Sequence, residues 1–289
     1  MAIATLKEQE WQQVELLAKK IRQDTLFAIK HMGQGHLGGS LSIVELLAVL
    51  YGKQMTIDPN HPSWEDRDRL VLSKGHAGAA LYSALANVGY FDRGLLKTLN
   101  EGGTSLPSHP DRNKTPGVDA TTGSLGQGTS MAAGIAAGLK LSQRNSFVYL
   151  IVGDGELNEG QCWEAFQYIA HSKLNNCIVI IDENKKQLDG TTEEILNPFD
   201  LSEKMKAFGF YVNKAKGDDL SAIDLAIQQS KAVVDQAVCI ILDSTKGQGI
   251  PYFEQLADNH SVKFNNDEVN QAAEKALAKL ELEIKEMTK

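Results

Sequence analysis

The sequence predicts an α/β fold, a doubly wound and mainly parallel sheet with helices on both faces. Apolar runs of strand length stand at residues 147–152 (FVYLIV) and 177–181 (CIVII), and a segment of helical character at about 159–173 joins them. Two buried strands joined by a helix form a right-handed parallel unit. The strand-like segments 208–215 and 237–242 enclose another helical segment, and this alternation is typical of the doubly wound class.

The composition is that of an ordinary globular protein. Charged residues make up 23% of the 289 residues and hydrophobic residues 42%, and 29 Lys and Arg against 37 Asp and Glu give a net charge of −8. No internal repeat or low-complexity linker interrupts the chain. We therefore expect a single domain over 1–289, with helices at 6–32 and 267–287 as appendages.

The same composition argues against several classes of partner. There is no basic tract to bind nucleic acid, and no apolar run approaches the about 20 residues that cross a membrane. The N-terminal segment is polar and amphipathic, without the apolar middle of a signal peptide. The three cysteines (Cys162, Cys177 and Cys239) have no CxxC spacing, so we expect buried, reduced thiols and a cytoplasmic location.

The N-terminal part begins with a helix and a glycine-rich turn. Apolar residues at helical spacing predict the helix over 6–32. Residues 33–40 (GQGHLGGS) are too rich in glycine for a helix and predict a loop that contains His36. Ser40 or Ser42 is then expected to cap the helix that follows.

Beyond this turn, the chain offers a possible anion site. A short strand at 70–72 ends in Ser-Lys-Gly-His, and the positions of Lys74 and His76 at a helix start favour a bound anion. Residues 102–118 hold two glycines and three prolines and predict a loop. The small residues of segment 131–141 predict a helix that packs closely against the sheet or against another protein chain.

Two polar side chains follow the central strands where each strand ends. Asp154 comes after the first apolar run, between Gly153 and Gly155, and Asn184 comes just after the second. Parallel strands place both residues side by side at the carboxyl edge of the sheet, where open α/β sheets bind ligands. One carboxylate and one amide oxygen suit a hard cation, Mg²⁺ or Ca²⁺, that bridges phosphates, and the two glycines let a bulky anion approach.

These residues resemble the thiamine-diphosphate motif of the transketolase family. The resemblance covers the chain from the first helix to about residue 260. It rests on six segments in the family's order: the His36 loop, SKGHA at 73–77, SHPD at 108–111, TTGSLGQG at 121–128, GDGELNEG with DENKKQLDG at 153–190, and KGQG with a later histidine at 246–260. Leu37 and Ser124 stand where the family usually has proline, and Asn259-His260-Ser261 replaces its usual Trp-His-Gly.

The resemblance implies a role for each matching residue. It implies thiamine diphosphate as cofactor, with Mg²⁺ (or Ca²⁺ or Mn²⁺) held by Asp154, Asn184 and the Lys186 carbonyl. The implied substrate-facing or catalytic residues are His36, His109, His260 and, in a carboxylate network between subunits, Glu159. The implied cofactor residues are Lys74, His76, Gly123, Ser124, Leu125, Gly153, Gly155, Asn184, Lys246 and His260.

The implied function is transfer of a two-carbon ketol unit from a ketose to an aldose, such as the sugar phosphates of the pentose phosphate pathway. Full-length family members are about twice this length, so the chain looks like the N-terminal subunit of a split transketolase. It would be active only with a C-terminal partner subunit, in an α2β2 heterotetramer. Alternatives are a subunit of a modified-sugar transketolase or of a 2-oxo acid dehydrogenase, and a non-catalytic binding protein on the same fold. The histidines favour the transketolase branch, because they serve sugar hydroxyls there.

Overall fold

The computed structural model describes residues 2–289, with side chains from residue 8 onward. Its strands are β1 (Gln34–Gly35), β2 (Arg69–Leu72), β3 (Val148–Gly153), β4 (Cys177–Glu183), β5 (Tyr211–Lys216), β6 (Val238–Asp243) and β7 (Val262–Lys263). The central sheet has five parallel strands in the order β2-β3-β4-β6-β5. A separate two-stranded antiparallel sheet pairs β1 with β7.

Helices cover both faces of this sheet, so the predicted fold class is confirmed. The helices are α1 (Ala2–Met32), α2 (Leu37–Leu41), α3 (Val44–Val49), α4 (Gly78–Val88), α5 (Gln127–Leu141), α6 (Gly160–His171), α7 (Thr192–Leu196), α8 (Leu201–Ala207), α9 (Leu220–Lys231), α10 (Pro251–Gln255) and α11 (Asp267–Met287). Residues 99–126 contain no helix or strand, as expected for the segment that carries His109.

The central strands are buried on both faces, which explains their continuous apolar sequences. Alternate residues enter two cores: Tyr149 and Ile151 pack with α1, α3, α4 and α9, whereas Leu150 and Val152 pack with α5, α6 and α8. The single-domain organisation stays a prediction. The long helices α1 and α11 pack against each other, and Lys19 bonds Glu283 across their contact at 2.7 Å.

The glycine-rich segment after α1 differs from the prediction. Residues Leu37–Leu41 form a short buried helix, and neither predicted serine is the N-cap of a helix: Ile43 takes that position in α3, and Ser42 is the C-cap of α2. The Ser40 hydroxyl donates to the His36 carbonyl, and the Ser42 hydroxyl donates to Asp182, which lies 140 residues away. Burial explains the difference, because a buried backbone must satisfy its own hydrogen bonds even where glycine disfavours a helix.

Among the helices of residues 2–289, none combines the length and the apolar character that a bilayer crossing requires.

Candidate functional site

A cavity of about 360 Å³ opens at the carboxyl ends of the parallel strands. It holds most of the side chains that the sequence singles out. The lining residues are His36, Lys74, His76, His109, Gly123, Leu125, Gly153, Asp154, Gly155, Glu156, Asn184, Lys186, Gln187, Leu188, Asp189, Lys246 and His260. The residues at the carboxyl ends of four neighbouring strands (β2, β3, β4 and β6) therefore lie in one site.

The registry of the sheet brings Asp154 and Asn184 together, as the sequence predicts. Gly153 of β3 lies opposite Asp182 of β4, so the two polar loops start at the same level. The Lys185 backbone N–H, next to Asn184, donates to Asp154 Oδ2 at 2.6 Å, and Gly155 N–H donates to Oδ1 at 2.8 Å. Each carboxylate oxygen thus keeps a lone pair for a cation.

Asp154 is a buried carboxylate that lacks a cationic side-chain partner among the described ion pairs. Only 3% of its surface is exposed, and burial, followed by the nearby charge of Asp182, raises its pKa to about 7. A divalent cation would remove this penalty, because an opposite charge favours the ionised form. The donor set of Asp154, Asn184 and the Lys186 carbonyl therefore fits a hard metal ion.

Beneath Asp154, Asp182 forms a fully buried ion pair with Lys74. The two charged atoms are 2.6 Å apart, and the side chains are 0% and 1% exposed. Asp182 also accepts hydrogen bonds from Ser42, Asn184 and Ser244. Burial opposes its ionisation, but the charge and hydrogen bonds of Lys74 and the bonds from Ser244 and Asn184 hold its pKa below the usual value.

This ion pair fixes the amide of Asn184. The Asn184 Nδ2 donates to Asp182 Oδ2 at 2.8 Å, so its oxygen faces the other way and accepts from the Lys186 N–H at 3.2 Å. Lys74 bonds the Gly39 carbonyl, Ser42 and Asp182, which occupies all three of its donors. Lys74 therefore supports the site from below, and its place among the cofactor residues stays a prediction.

Lys246 is the cation that faces the cavity. Its ammonium lies 3.1 Å from the Lys186 carbonyl, 3.3 Å from the Gln187 carbonyl and 3.1 Å from His260 Nδ1. Burial, and then repulsion from Lys74, lower its pKa to about 8. Because an ammonium only donates, Nδ1 of His260 accepts and its Nε2 carries the proton.

Four histidines from four separate loops meet on the other side of the cavity. The ring centre of His36 lies 5.3 Å from His76, 5.8 Å from His109 and 5.1 Å from His260, and His76 lies 5.1 Å from His260. Burial is the main cause that lowers the pKa of each ring, to about 4 for His260 and well below 6.5 for His76. All four imidazoles are therefore neutral at pH 7.

Two of the predicted site residues lie outside the cavity lining. Ser124 is exposed next to the lining residues Gly123 and Leu125. Glu159 is exposed at the start of α6, where its side chain makes no capping bond. This position at the start of a helix is where the sequence puts Glu159. Its role between subunits stays a prediction.

Sequence reasoning missed the buried carboxylate Glu156. It is 3% exposed and accepts from the Ser73 hydroxyl and from the backbone N–H groups of Gly126 and Gly153. It thereby ties three loops of the site together, and burial raises its pKa. Both Glu156 and Asp182 belong to the quoted motifs, but their spacing carries no signal of burial.

Comparison with known proteins identifies the family. The chain matches the thiamine diphosphate binding domain of transketolase over residues 13–281. It is 46% identical over 259 residues to the 6-deoxy-6-sulfo-D-fructose transketolase subunit SqwG of Clostridium sp. (strain MSTE9), covering 89% of this chain and 94% of the relative. It is 37% identical over 265 residues to one of the subunits of the apulose-4-phosphate transketolase of Actinobacillus succinogenes, covering 91% and 96%.

Solved structures agree with these relatives. The transketolase of Campylobacter jejuni superposes with a TM-score of 0.84 at 30% identity, over 93% of this chain and 43% of that one. The transketolase of Leishmania mexicana superposes with a TM-score of 0.82 at 29% identity, over 95% of this chain and 46% of that chain. The chain thus spans less than half the length of these solved transketolases. It belongs to the transketolase family and carries the family's thiamine-diphosphate-binding domain, which confirms the resemblance.

Proposed function

We propose that this chain is the cofactor-anchoring subunit of a two-chain transketolase that moves a two-carbon ketol unit from a ketose to an aldose. The observation that carries the proposal is the cavity in which Asp154, Asn184 and Lys246 face four neutral histidines. A diphosphate needs a cation-rich anchor, and sugar hydroxyls need groups that exchange protons near neutral pH.

Thiamine diphosphate, when bound, supplies a nucleophilic carbon and an electron sink. Asp154, Asn184 and the Lys186 carbonyl would hold Mg²⁺, with Ca²⁺ or Mn²⁺ as substitutes. No group of three or more His, Cys, Asp or Glu side chains within the described chain could hold a metal alone. The site therefore needs phosphate oxygens and water to complete the coordination shell, as is usual for Mg²⁺.

Lys246 would offset part of the remaining charge of the diphosphate, and the neutral ring of His76 would donate a hydrogen bond to it. Backbone groups of Gly123, Ser124 and Leu125 would line the thiamine ring, and Gly153 and Gly155 would let the diphosphate approach. At Gly155 there is no room for a side chain, because a Cβ would lie 2.8 Å from Gln187 Cβ.

His36, His109 and His260 would hold and transfer protons at the sugar hydroxyls. Each ring is partly exposed to the cavity and neutral at pH 7, so it can accept a proton from a hydroxyl. Positioned groups of this kind contribute about 10²- to 10⁴-fold to a rate.

The proposed partner is a separate C-terminal transketolase subunit, in a cytoplasmic α2β2 heterotetramer. The relatives that match this chain over most of their own length are named as subunits, which supports a second polypeptide. Their names also refer to a sulfonated and a phosphorylated sugar. We infer that the substrate is a ketose with a terminal anionic group, in preference to a neutral sugar.

The test combines the purified chain with the product of the adjacent transketolase-type reading frame. Ketol transfer with thiamine diphosphate and Mg²⁺ is expected only in the mixture, measured with sulfonated, apulose-type and pentose phosphate donors. Activity of the chain alone would contradict the two-subunit proposal. A preference for pentose phosphates would assign the enzyme to the pentose phosphate pathway instead of a modified-sugar pathway.

A further inference from the structure

We propose that Asn259 is a positioning residue that holds His36, Lys246 and His260 in their working arrangement. This inference rests on the proposed function, because it concerns the histidine side of the same cavity. Asn259 does not line the cavity. It is 1% exposed and lies directly behind the loops that carry the three residues.

The Asn259 side chain joins the loop after β6 to helix α10. Its Nδ2 donates to the Lys246 carbonyl and to the Phe253 carbonyl, each at 2.8 Å. A primary amide has two N–H groups in a fixed fork, so one side chain satisfies both carbonyls. Leaving these buried carbonyls without donors would cost the hydrogen bonds and the desolvation of both groups.

The Asn259 backbone holds the first turn of helix α2. Its carbonyl accepts from the Gly38 N–H at 3.0 Å, while the Gly38 carbonyl accepts from the Gly247 N–H at 3.0 Å. Gly38 is thus held between Asn259 and the loop after β6. A Cβ at Gly38 would lie 2.4 Å from the Asn259 carbonyl oxygen and 2.9 Å from Lys246 Cγ, so only glycine fits.

The catalytic side chains lie within two residues of these contacts. His36 precedes Gly38 by two positions, and His260 follows Asn259 directly. The backbone carbonyl of Lys246 itself accepts the hydrogen bond from the Asn259 side chain. Their side chains meet in the cavity, with 5.1 Å between the rings of His36 and His260 and 3.1 Å from Lys246 Nζ to His260 Nδ1. A shift of Asn259 therefore moves all three groups at once.

A first experiment reads the histidine rings without any cofactor or partner. Asn259→Asp keeps the shape but removes both donors, and Asn259→Ser keeps one donor and adds no charge. In proton–carbon spectra of the histidine rings, both variants are expected to move the peaks of His36 and His260. The peaks of the distant His61 and His171 stay in place. If Asn259→Asp does not fold, the spectra of Asn259→Ser alone provide the test.

Asn270→Asp is the matched control. Asn270 also donates from Nδ2 to two backbone carbonyls, those of Phe264 at 3.2 Å and Asn266 at 2.9 Å, but it stands in the first turn of α11. We expect this variant to leave all the cavity histidine peaks unchanged. Unmoved His36 and His260 peaks in folded Asn259 variants would overturn the proposal.

A second experiment measures ketol transfer by the complete two-subunit enzyme. Asn259→Asp is expected to lower kcat/KM at least tenfold, mainly through kcat. The same change on a His260→Ala background is expected to lower it by a smaller factor, because only the positions of His36 and Lys246 are then left to disturb. Two residues that act as one unit give such non-additive losses. Equal losses in both backgrounds would reduce Asn259 to a general structural residue and contradict the proposal. An inactive wild-type complex would instead refute the proposed function and leave the ring spectra to decide the role of Asn259.

Discussion

The two sides of the cavity hold their polar groups in different ways. On the anchoring side, Asp154, Asp182, Lys74 and Lys246 are charged or easily charged and are nearly excluded from water. On the histidine side, each of four partly buried rings has at least one other ring 5.1 to 5.8 Å away, and all are neutral at pH 7. The anchoring side is prepared for ions, and the histidine side for proton exchange.

The difference follows from how each side is supported. The anchoring side stands directly on strand ends. Lys74 and Asp182 compensate each other through fixed hydrogen bonds, and Asp154 is left for a cation. The histidines stand on loops and helix starts that come from distant parts of the chain. A rigid set of buried charged residues suits a permanently bound cofactor, whereas histidine rings that are free of ion pairs can accept and release protons.

The largest expected effect is on cofactor binding, and it distinguishes the proposed metal ligand Asp154 from another carboxylate at the same edge of the sheet. Asp154→Ala should abolish Mg²⁺-dependent binding of thiamine diphosphate, because the only carboxylate of the proposed metal set is lost. Calorimetry with and without Mg²⁺ measures it. Asp243→Ala is the control, since Asp243 ends β6 at the same edge but pairs with Lys185 at the surface. Unchanged binding by Asp154→Ala would remove the metal assignment.

The next effect concerns the buried ion pair. Lys74→Met leaves Asp182 without its counter-charge and should lower the free energy of unfolding by about 3–5 kcal/mol. Lys185→Met removes the exposed pair with Asp243, whose side chains are 60% and 50% exposed, and should cost only about 0–1 kcal/mol. Urea unfolding of both variants compares them. Equal costs would mean that the Lys74–Asp182 pair does not support the anchoring side.

The smallest expected effect is on the pH dependence of stability, to which the two sides of the cavity contribute with opposite signs. The pKa of His260 is about 4 in the folded chain and near 6.5 when unfolded, so its contribution to stability is present above pH 6.5 and is lost as the pH falls towards 4. Asp154, with a folded pKa of about 7, contributes oppositely: its stabilising contribution is present at low pH and is lost as the pH rises through 7.

The test uses metal-free chain at pH 7 and pH 5. His260→Asn should reduce the loss of stability on acidification, and Asp154→Asn should increase it, both measured by urea midpoints. Changes of the same sign in the two variants would contradict the assigned burial of one of the groups.

The sequence predicts a large part of this site from short patterns. Apolar runs that break at Gly153-Asp154-Gly155 and at Asp182-Glu183-Asn184 mark strand ends, and the parallel order brings them to one edge. The family motifs supply the histidines and Lys246. The detail that fails is the prediction of Ser40 or Ser42 as the N-cap of the next helix, because local spacing does not say whether a side chain turns into the core or towards the surface.

The sequence by itself determines where the strands and long helices lie and which residue types follow each strand, because periodicity and turn chemistry are local properties. The tertiary structure decides which carboxylate is paired and which is left for a cation. It also decides that Ser42 reaches Asp182 and that Asn259 joins helix α2, the loop after β6 and helix α10. These contacts link residues that are far apart in the chain, and only close packing of the folded molecule determines them.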